Sequence, residues 1–234
     1  MMPRTLLVDL GGTLIDLFGH TSPGQVLPRS LEGASRVLME AGSRPPPISV
    51  LESRWETRRQ DPNDTSVRTL EDRLSFTFDI DPNEGALLLS ACRAFMWPLF
   101  SQTRVFEDTL PFLSHARTRG IRVVIVSNTT WGSPAHLWRE LLDVIGLSAC
   151  VDASVFCRDV GRRKPDPMVY RYAMEVAGTP PESCLFVGDN PVWDVEGPER
   201  AGIRSVLLDR RAEWIGQGYD RTTSLLEVKD LYLK

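Results

Sequence analysis

The chain has 234 residues, with 27 Lys and Arg against 31 Asp and Glu and a formal net charge of −4. Hydrophobic residues make up 42% and charged residues 25%, globular averages that exclude intrinsic disorder, and a chain of this length buries about 70% of its unfolded surface without help from disulfides or a structural metal. The acidic balance argues against a nucleic-acid binder; no apolar run reaches the ~20 residues of a membrane span, and Met1-Met2-Pro3-Arg4, running straight into a strand-like stretch, does not read as a signal peptide.

In chain order, Thr5-Leu6-Leu7-Val8-Asp9 reads as a short strand covered on both faces. Gly11-Gly12-Thr13 breaks it. Residues 16–104 then show helical patterns and little that resembles a strand. Leu31, Ala34, Leu38 and Ala41 recur at spacings of three and four, with Gly42 placed to stop the helix. Arg44-Pro45-Pro46-Pro47 is a stiff linker. Ile48, Leu51 and Trp55 start a second helix, and Val67, Leu70 and Leu74 mark a third. Asp81-Pro82-Asn83-Glu84 opens a fourth as a cap residue, a first-turn proline and a glutamate three positions on. From about residue 105 helix and strand alternate: Glu107–Arg119 helix, Ile121–Val126 strand, 135–145 helix, 153–157 strand, Asp166 to Gly178 helix, Cys184–Val187 strand, 193–201 helix and Ile203–Leu208 strand. Five such strands imply a doubly wound, Rossmann-like parallel sheet. The expected layout is an α/β core of residues 1–15 and 105–234, interrupted after its first strand by a helical cap of residues 16–104 lying over the carboxyl ends of the strands.

Cys92, Cys150, Cys157 and Cys184 form no Cys-x-x-Cys pair and sit among apolar residues. They read as reduced thiols of a cytoplasmic protein, and zinc would need tighter Cys/His spacing.

Polar residues end the strands. Asp9 ends the first, Ser127 follows Val123-Val124-Ile125-Val126, and Asp189 follows Leu185-Phe186-Val187-Gly188, with Asp194 five positions on. Lys164 lies in a loop just before the Asp166 helix. In an open parallel sheet these points converge at one crevice. Carboxylates, a hydroxyl and a lysine gathered there suit a phosphate ester with a divalent metal: carboxylates hold Mg²⁺ through oxygen, lysine and metal neutralise phosphoryl charge, and an aspartate can attack phosphorus.

The motifs Asp9-Leu10-Gly11-Gly12-Thr13-Leu14, Val126-Ser127-Asn128, Lys164-Pro165-Asp166-Pro167 and Gly188-Asp189 with Asp194 resemble, in order, the four motifs of the haloacid dehalogenase superfamily. The resemblance spans about residues 4–19 and 104–209. It implies an α/β fold with a helical cap inserted after the first motif, Mg²⁺ as cofactor and a small phosphorylated metabolite as substrate. It implies Asp9 as nucleophile and metal ligand, Gly11 as metal ligand through its carbonyl, and Ser127 and Asn128 as phosphoryl-binding residues. Lys164 is implied to steady nucleophile and phosphoryl group, Asp189 to bind metal, and Asp194 to orient a metal-bound water or Lys164.

One position departs from the pattern. In phosphatases of this superfamily a second aspartate stands where this chain has Gly11, and it protonates the leaving oxygen. General acid–base help is typically worth ~10²–10⁴ in rate. Asp16 and His20 are the nearest groups that could replace it, although Asp16 also reads as a turn residue. Thr13 reads as shaping the loop after the nucleophile, and His115 and His136 as helix residues. Trp55 with Arg58 and Arg59 reads as a packed or solvated face that could also meet a substrate anion. Phe95, Met96 and Trp97 read as packing residues, and Arg162 and Arg163 as solvated. The function expected is hydrolysis of a phosphomonoester. The alternatives are a phospholigand-binding protein without turnover and a hydrolase of a carbon–halogen or carbon–phosphorus bond. Asp189 with Asp194 favours the metal-dependent route over dehalogenation, and the absence of lysine from residues 16–104 argues against an imine-forming phosphonate hydrolase. Oligomeric state is not legible.

Overall fold

A short strand made almost wholly of apolar residues has to be covered on both faces and flanked on both edges. The computed structural model, which describes residues 2–19 and 21–234, gives β1 (Thr5–Val8) that position, with all four residues buried. His20, considered above for proton transfer, lies outside the described residues. After β1 come β2 (Ile15–Asp16) and four helices, α1 (Pro23–Glu40), α2 (Ile48–Thr57), α3 (Leu70–Phe78) and α4 (Gly85–Phe100); β3 (Arg104–Val105) then returns antiparallel to β2. Helix and strand alternate from there: α5 (Thr109–Thr118), β4 (Arg122–Ser127), α6 (Ala135–Val144), β5 (Ala153–Phe156), α7 (Cys157–Val160), α8 (Pro167–Ala177) and β6 (Cys184–Gly188). A π-helical turn (Pro191–Glu196) runs into α9 (Gly197–Arg200), followed by β7 (Arg204–Leu208), β8 (Arg221–Thr222) and α10 (Leu225–Tyr232).

The main sheet has the order β5-β4-β1-β6-β7-β8, and every ladder in it is parallel. This is the doubly wound α/β architecture expected from the alternation. The period-2 geometry of a strand divides its side chains between two faces. Leu6 and Val8 of β1 join Val123 and Ile125 of β4 in one apolar cluster. Leu7 joins Val124 and Val126 in the other, covered by Val169, Tyr170 and Ala173 of α8.

Several local expectations are corrected. Asp81 does not cap α4: its carboxylate accepts the Asn83 backbone N–H at 2.9 Å, closing a turn on itself, and α4 starts at Gly85. This is the competition between a short acidic side chain and helix that such residues offer. Val67 precedes α3, whose cap is Thr69, accepting from the Asp72 N–H at 3.1 Å. Trp97 is 66% exposed, although its neighbours Phe95 and Met96 are buried. Strands β2, β3 and β8 have two residues each, too short to show alternation. The four cysteines are free thiols, three of them buried. Among the described residues no helix is long and apolar enough to cross a membrane.

Helices α1 and α4 approach closely at Gly33, where an added methyl would lie 2.5 Å from the Ala94 carbonyl oxygen. Gly33→Ala should therefore force the helices apart and cost about 1–3 kcal/mol. Gly24→Ala, in the same helix but facing open space, should be neutral or slightly stabilising. Urea midpoints of the two variants check this contrast.

Candidate active site

Strands β1, β4 and β6 end nearly level, with Val8 paired to both Ile125 and Val187. The residues that follow or end them therefore emerge side by side at the carboxyl edge. Asp9 continues β1, its N–H donating to the Val187 carbonyl at 2.9 Å. Its Oδ1 accepts from Ser127 Oγ at 3.0 Å and from Lys164 Nζ at 2.7 Å. Lys164 is only 2% exposed. Its Nζ also donates to Asp194 Oδ1 at 2.6 Å and to the Val126 carbonyl at 3.0 Å, so all three ammonium protons have acceptors. Burial works against its charge, but Asp194 and Asp9 outweigh burial and hold the ammonium protonated, above the usual lysine range.

The local backbone explains how these groups reach one point. Asn128 grips Lys164 by its main chain: Oδ1 accepts the Lys164 N–H at 2.8 Å, and Nδ2 donates to the Lys164 carbonyl at 3.2 Å. The Asn128 amide is thus committed to positioning the lysine, which leaves its backbone for the phosphoryl contact expected of it. On the far side of Lys164, the loop after α2 runs alongside. Ser66 bridges Arg162 in antiparallel fashion, the Arg163 N–H donates to the Thr65 carbonyl at 2.8 Å, and Thr65 Oγ1 donates to Asp166 Oδ2 at 2.9 Å. Asp194 sits on the π-helical turn, which Asn190 starts by accepting from the Val192 and Trp193 N–H groups. Asp194 Oδ2 accepts the Asn190 N–H at 2.9 Å. Gly12 has φ +81°, and a Cβ there would collide with the Asp189 carboxylate, so the loop backbone and that carboxylate share the space.

Other singled-out residues fall into place. The Asp16 carboxylate accepts the N–H groups of Phe18 at 3.1 Å and Gly19 at 2.7 Å, turn chemistry in support of its structural reading. His136 is exposed, and His115 meets the Leu233 carbonyl near the end of the chain. Trp55 is buried against Phe95 and Trp131. Arg162 is exposed, but Arg163 is half-buried. Sequence reasoning missed Arg210, which stands beside Arg211 with no motif around it. Its guanidinium donates to the Thr13 carbonyl at 2.8 Å and pairs with Asp108, bracing the loop after Asp9. Only the three-dimensional return of the chain after β7 brings it there.

A cleft of about 560 Å³ at this edge is lined by Asp9, Gly11, Ser127, Asn128, Asp189 and Trp193, among others. Oxygens of Asp9, Asp189 and Asp194 all lie within 4.8 Å of one another. Three carboxylates thus face one ammonium. Crowding by protein atoms, and then the charges of Asp9 and Asp194, push the Asp189 carboxyl up to about 8. Burial also raises Asp194, with Lys164 partly offsetting it. Excess negative charge on oxygen donors in a partly dehydrated cleft fits a hard divalent cation.

Residues 3–202 match the family model for haloacid dehalogenase-like hydrolases. The chain belongs to this family. Within the haloacid dehalogenase-like hydrolases it is 38% identical over 106 residues to a phosphoserine phosphatase of Thermus thermophilus, a match covering 45% of this chain and 41% of that one. The chain spans about half the length of several curated relatives it matches. Its fold is shared with the crystal structure of a HAD phosphatase from Thermococcus onnurineus (TM-score 0.67, 23% identity, 97% of this chain and 96% of that chain). It is shared equally with a 2-haloacid dehalogenase from Pseudomonas syringae pv. Tomato DC3000 (TM-score 0.70, 18% identity, 98% of this chain and 97% of that chain). One fold of the haloacid dehalogenase-like hydrolases thus hosts different bond cleavages, and the chemistry has to be read from the site.

The raised Asp189 carboxyl has a sign that can be measured. Without divalent cations, the folded protein keeps a proton there that the unfolded chain releases above its ordinary value of 3.8. Stability from this group therefore falls as pH rises between about 4 and 8. Asp189→Asn removes the charge, so in EDTA its urea midpoint should exceed that of the wild type by a margin that grows across this window. A margin that stays flat or shrinks contradicts the repulsion described here.

Proposed function

We propose that the protein is a Mg²⁺-dependent phosphatase of small phosphorylated metabolites, working through an aspartyl-phosphate on Asp9. The observation that carries this reading is the convergence of Ser127 Oγ and Lys164 Nζ on one oxygen, Oδ1, of Asp9. Two donors on Oδ1 orient the carboxylate and leave Oδ2 to attack phosphorus. Lys164 stays protonated and offsets charge on both nucleophile and transferred phosphoryl group. Ser127 turns its hydroxyl from Asp9 to a phosphoryl oxygen. Asn128 fixes the lysine and offers backbone to the same group, and Asp194 holds Lys164 from behind. Asp9 and Asp189, with the Gly11 carbonyl, would hold Mg²⁺, whose charge when bound stabilises the phosphoryl oxygens. On this reading residues 16–104 act as the cap over a core of residues 1–15 and 105–234. The phosphatase names among the relatives support the reaction class, and the metal carboxylate Asp189 favours it over dehalogenation.

Release of phosphate from p-nitrophenyl phosphate should require Mg²⁺, fall to background in Asp9→Asn, and leave the fold of that variant intact by circular dichroism. A stable wild type with no Mg²⁺-dependent turnover would move the protein to the phospholigand-binding reading, while near-normal activity in Asp9→Asn would remove Asp9 as nucleophile.

Gly11 allows a second prediction. Its φ is not in the left-handed region, and an added Cβ would meet only the Leu17 side chain, Cδ1 at 2.6 Å and Cγ at 3.5 Å, whose end can move. An aspartate can therefore be accommodated once Leu17 shifts. Nitrophenolate departs without a proton, whereas an alkoxide does not. Gly11→Asp should raise the rate on alkyl phosphates by up to ~10²-fold and change the rate on nitrophenyl phosphate much less. A stable variant with unchanged relative rates means that leaving-group protonation is already supplied elsewhere.

A further inference from the structure

A second cavity, of about 340 Å³, lies between α2, α3 and the loop that follows β4. Its walls carry Arg59, Arg68, Arg73 and Arg163, with Glu56 as an acidic counterpart and Trp55 as an aromatic wall. Arg73 is the unusual member. It lies on α3 and is only 4% exposed, with its guanidinium 3.4 Å from the centre of the Trp55 ring. Its Nε is buried with no hydrogen-bond partner among the described residues. Burial pulls its pKa down to about 10; Glu56 opposes that shift from a distance, while Arg68 and Arg59 reinforce it.

Other sequestered cations of this protein are treated differently. Lys164 has two carboxylates and a carbonyl. Arg158 pairs with Glu71 and Arg210 with Asp108. A buried charge without a close counter-charge is costly to keep, and the face of Trp55 offsets that cost only in part, through a cation–π contact. Its surroundings are also rigid. Trp55 stacks on Phe95 at 4.8 Å and meets Trp131 edge-on at 6.3 Å. Trp131 itself is held at φ 58°, a conformation that a bulky residue adopts only when its surroundings enforce it. Gly132 beside it has φ +67° and lies so close to the Arg68 carbonyl that a Cβ would collide with it.

We propose that this cavity is an oxyanion-binding site, in which Arg73 supplies the fork for a carboxylate or phosphate group of a small molecule. Guanidinium matches those groups with two parallel N–H donors, and the aromatic wall holds its plane fixed. The site stands apart from Asp9 and does not depend on the phosphatase reading. It adjoins the catalytic cleft, however, because its wall at Thr129, Trp131 and Gly132 continues directly from Ser127 and Asn128, and Arg163 precedes Lys164. The anion can come from two sources: the distal end of the molecule whose phosphoryl group sits at Asp9, or a separate effector.

Malonate and inorganic phosphate serve as probes, and the protein in buffer stripped of metal by a chelating resin keeps the three carboxylates of the catalytic cleft hostile to both. Thermal unfolding and calorimetry would compare wild type, Arg73→Met and Arg73→Lys. The wild type should be stabilised by at least one probe. Arg73→Met, which keeps the packing on Trp55 and removes the charge, should unfold at the same or a higher temperature without probe and bind it at least 10-fold more weakly. Arg73→Lys keeps the charge without the fork and should also weaken binding; it carries the test if the Met variant fails to fold. With Mg²⁺ and nitrophenyl phosphate, inhibition by malonate that is competitive and lost in Arg73→Met assigns the anion to the substrate. A change in kcat that is lost in the variant assigns it to an effector. A wild type indifferent to both probes, or variants that bind as the wild type does, would overturn the proposal.

Discussion

One buried ammonium organises this molecule. Asp9 and Asp194 are nearly inaccessible to water and carry charges that repel each other at the centre of a parallel sheet. Lys164 stands between them, within 2.7 Å of one and 2.6 Å of the other, and its third proton goes to the end of β4. Removing either side of such an arrangement leaves an uncompensated charge in a poorly solvated place, which is far more costly than never having built it. Much of the neighbouring backbone can be understood as keeping that lysine still. Asn128 takes both of its main-chain polar groups, and the π-helical turn starting at Pro191 delivers Asp194. Gly188 is bare because a Cβ would occupy the Asp194 carboxylate's own space. The third carboxylate, Asp189, has no such ammonium partner among the described residues, and on the reading proposed above that surplus is what a divalent cation would offset.

The meeting of these polar residues at the carboxyl edge was legible from sequence because a doubly wound sheet turns strand endings into neighbours. Asp9, Ser127 and Asp189 each follow a run of apolar residues, so their meeting follows from topology alone. Lys164 could be placed only through its motif, since a loop residue has no periodicity to locate it. What escaped the sequence falls into two kinds. Two-residue strands and the turn at Asp81 are decided by single hydrogen bonds, below the resolution of any hydrophobic pattern. The clamp of the Asn128 amide on Lys164, Arg73 and Arg210 escaped for a different reason. Their roles depend on which segments, distant in sequence, press against them. Arg73 in particular lies next to Leu74 in a helix whose apolar spacing says nothing about a buried guanidinium. The same limit applied to Trp97, whose apolar neighbours suggested burial that the packing of α4 does not provide.

Gly11 shows how a missing side chain can leave the surrounding frame intact. The loop around it is braced from both sides, by Gly12 against Asp189 and by Arg210 on the Thr13 carbonyl. The frame thus separates two tasks that phosphatases of this superfamily usually combine. On the phosphatase reading proposed above, it would present Asp9 as the nucleophile with its counter-charges held rigidly, and the proton for the leaving group would come from the substrate, from water or from another residue.

The strip of backbone that joins the loop after α2 to the residues around Lys164 has a mechanical consequence. Thr65, Ser66 and Val67 are bonded to Asp166, Arg162, Arg163 and Gly161, so the helical segment grips the very loop that carries the ammonium. Any swing that lifts this segment from the sheet has to peel the strip apart or drag the lysine loop with it. If residues 16–104 act as the cap proposed above, opening the cleft would therefore also disturb the charge balance around Lys164.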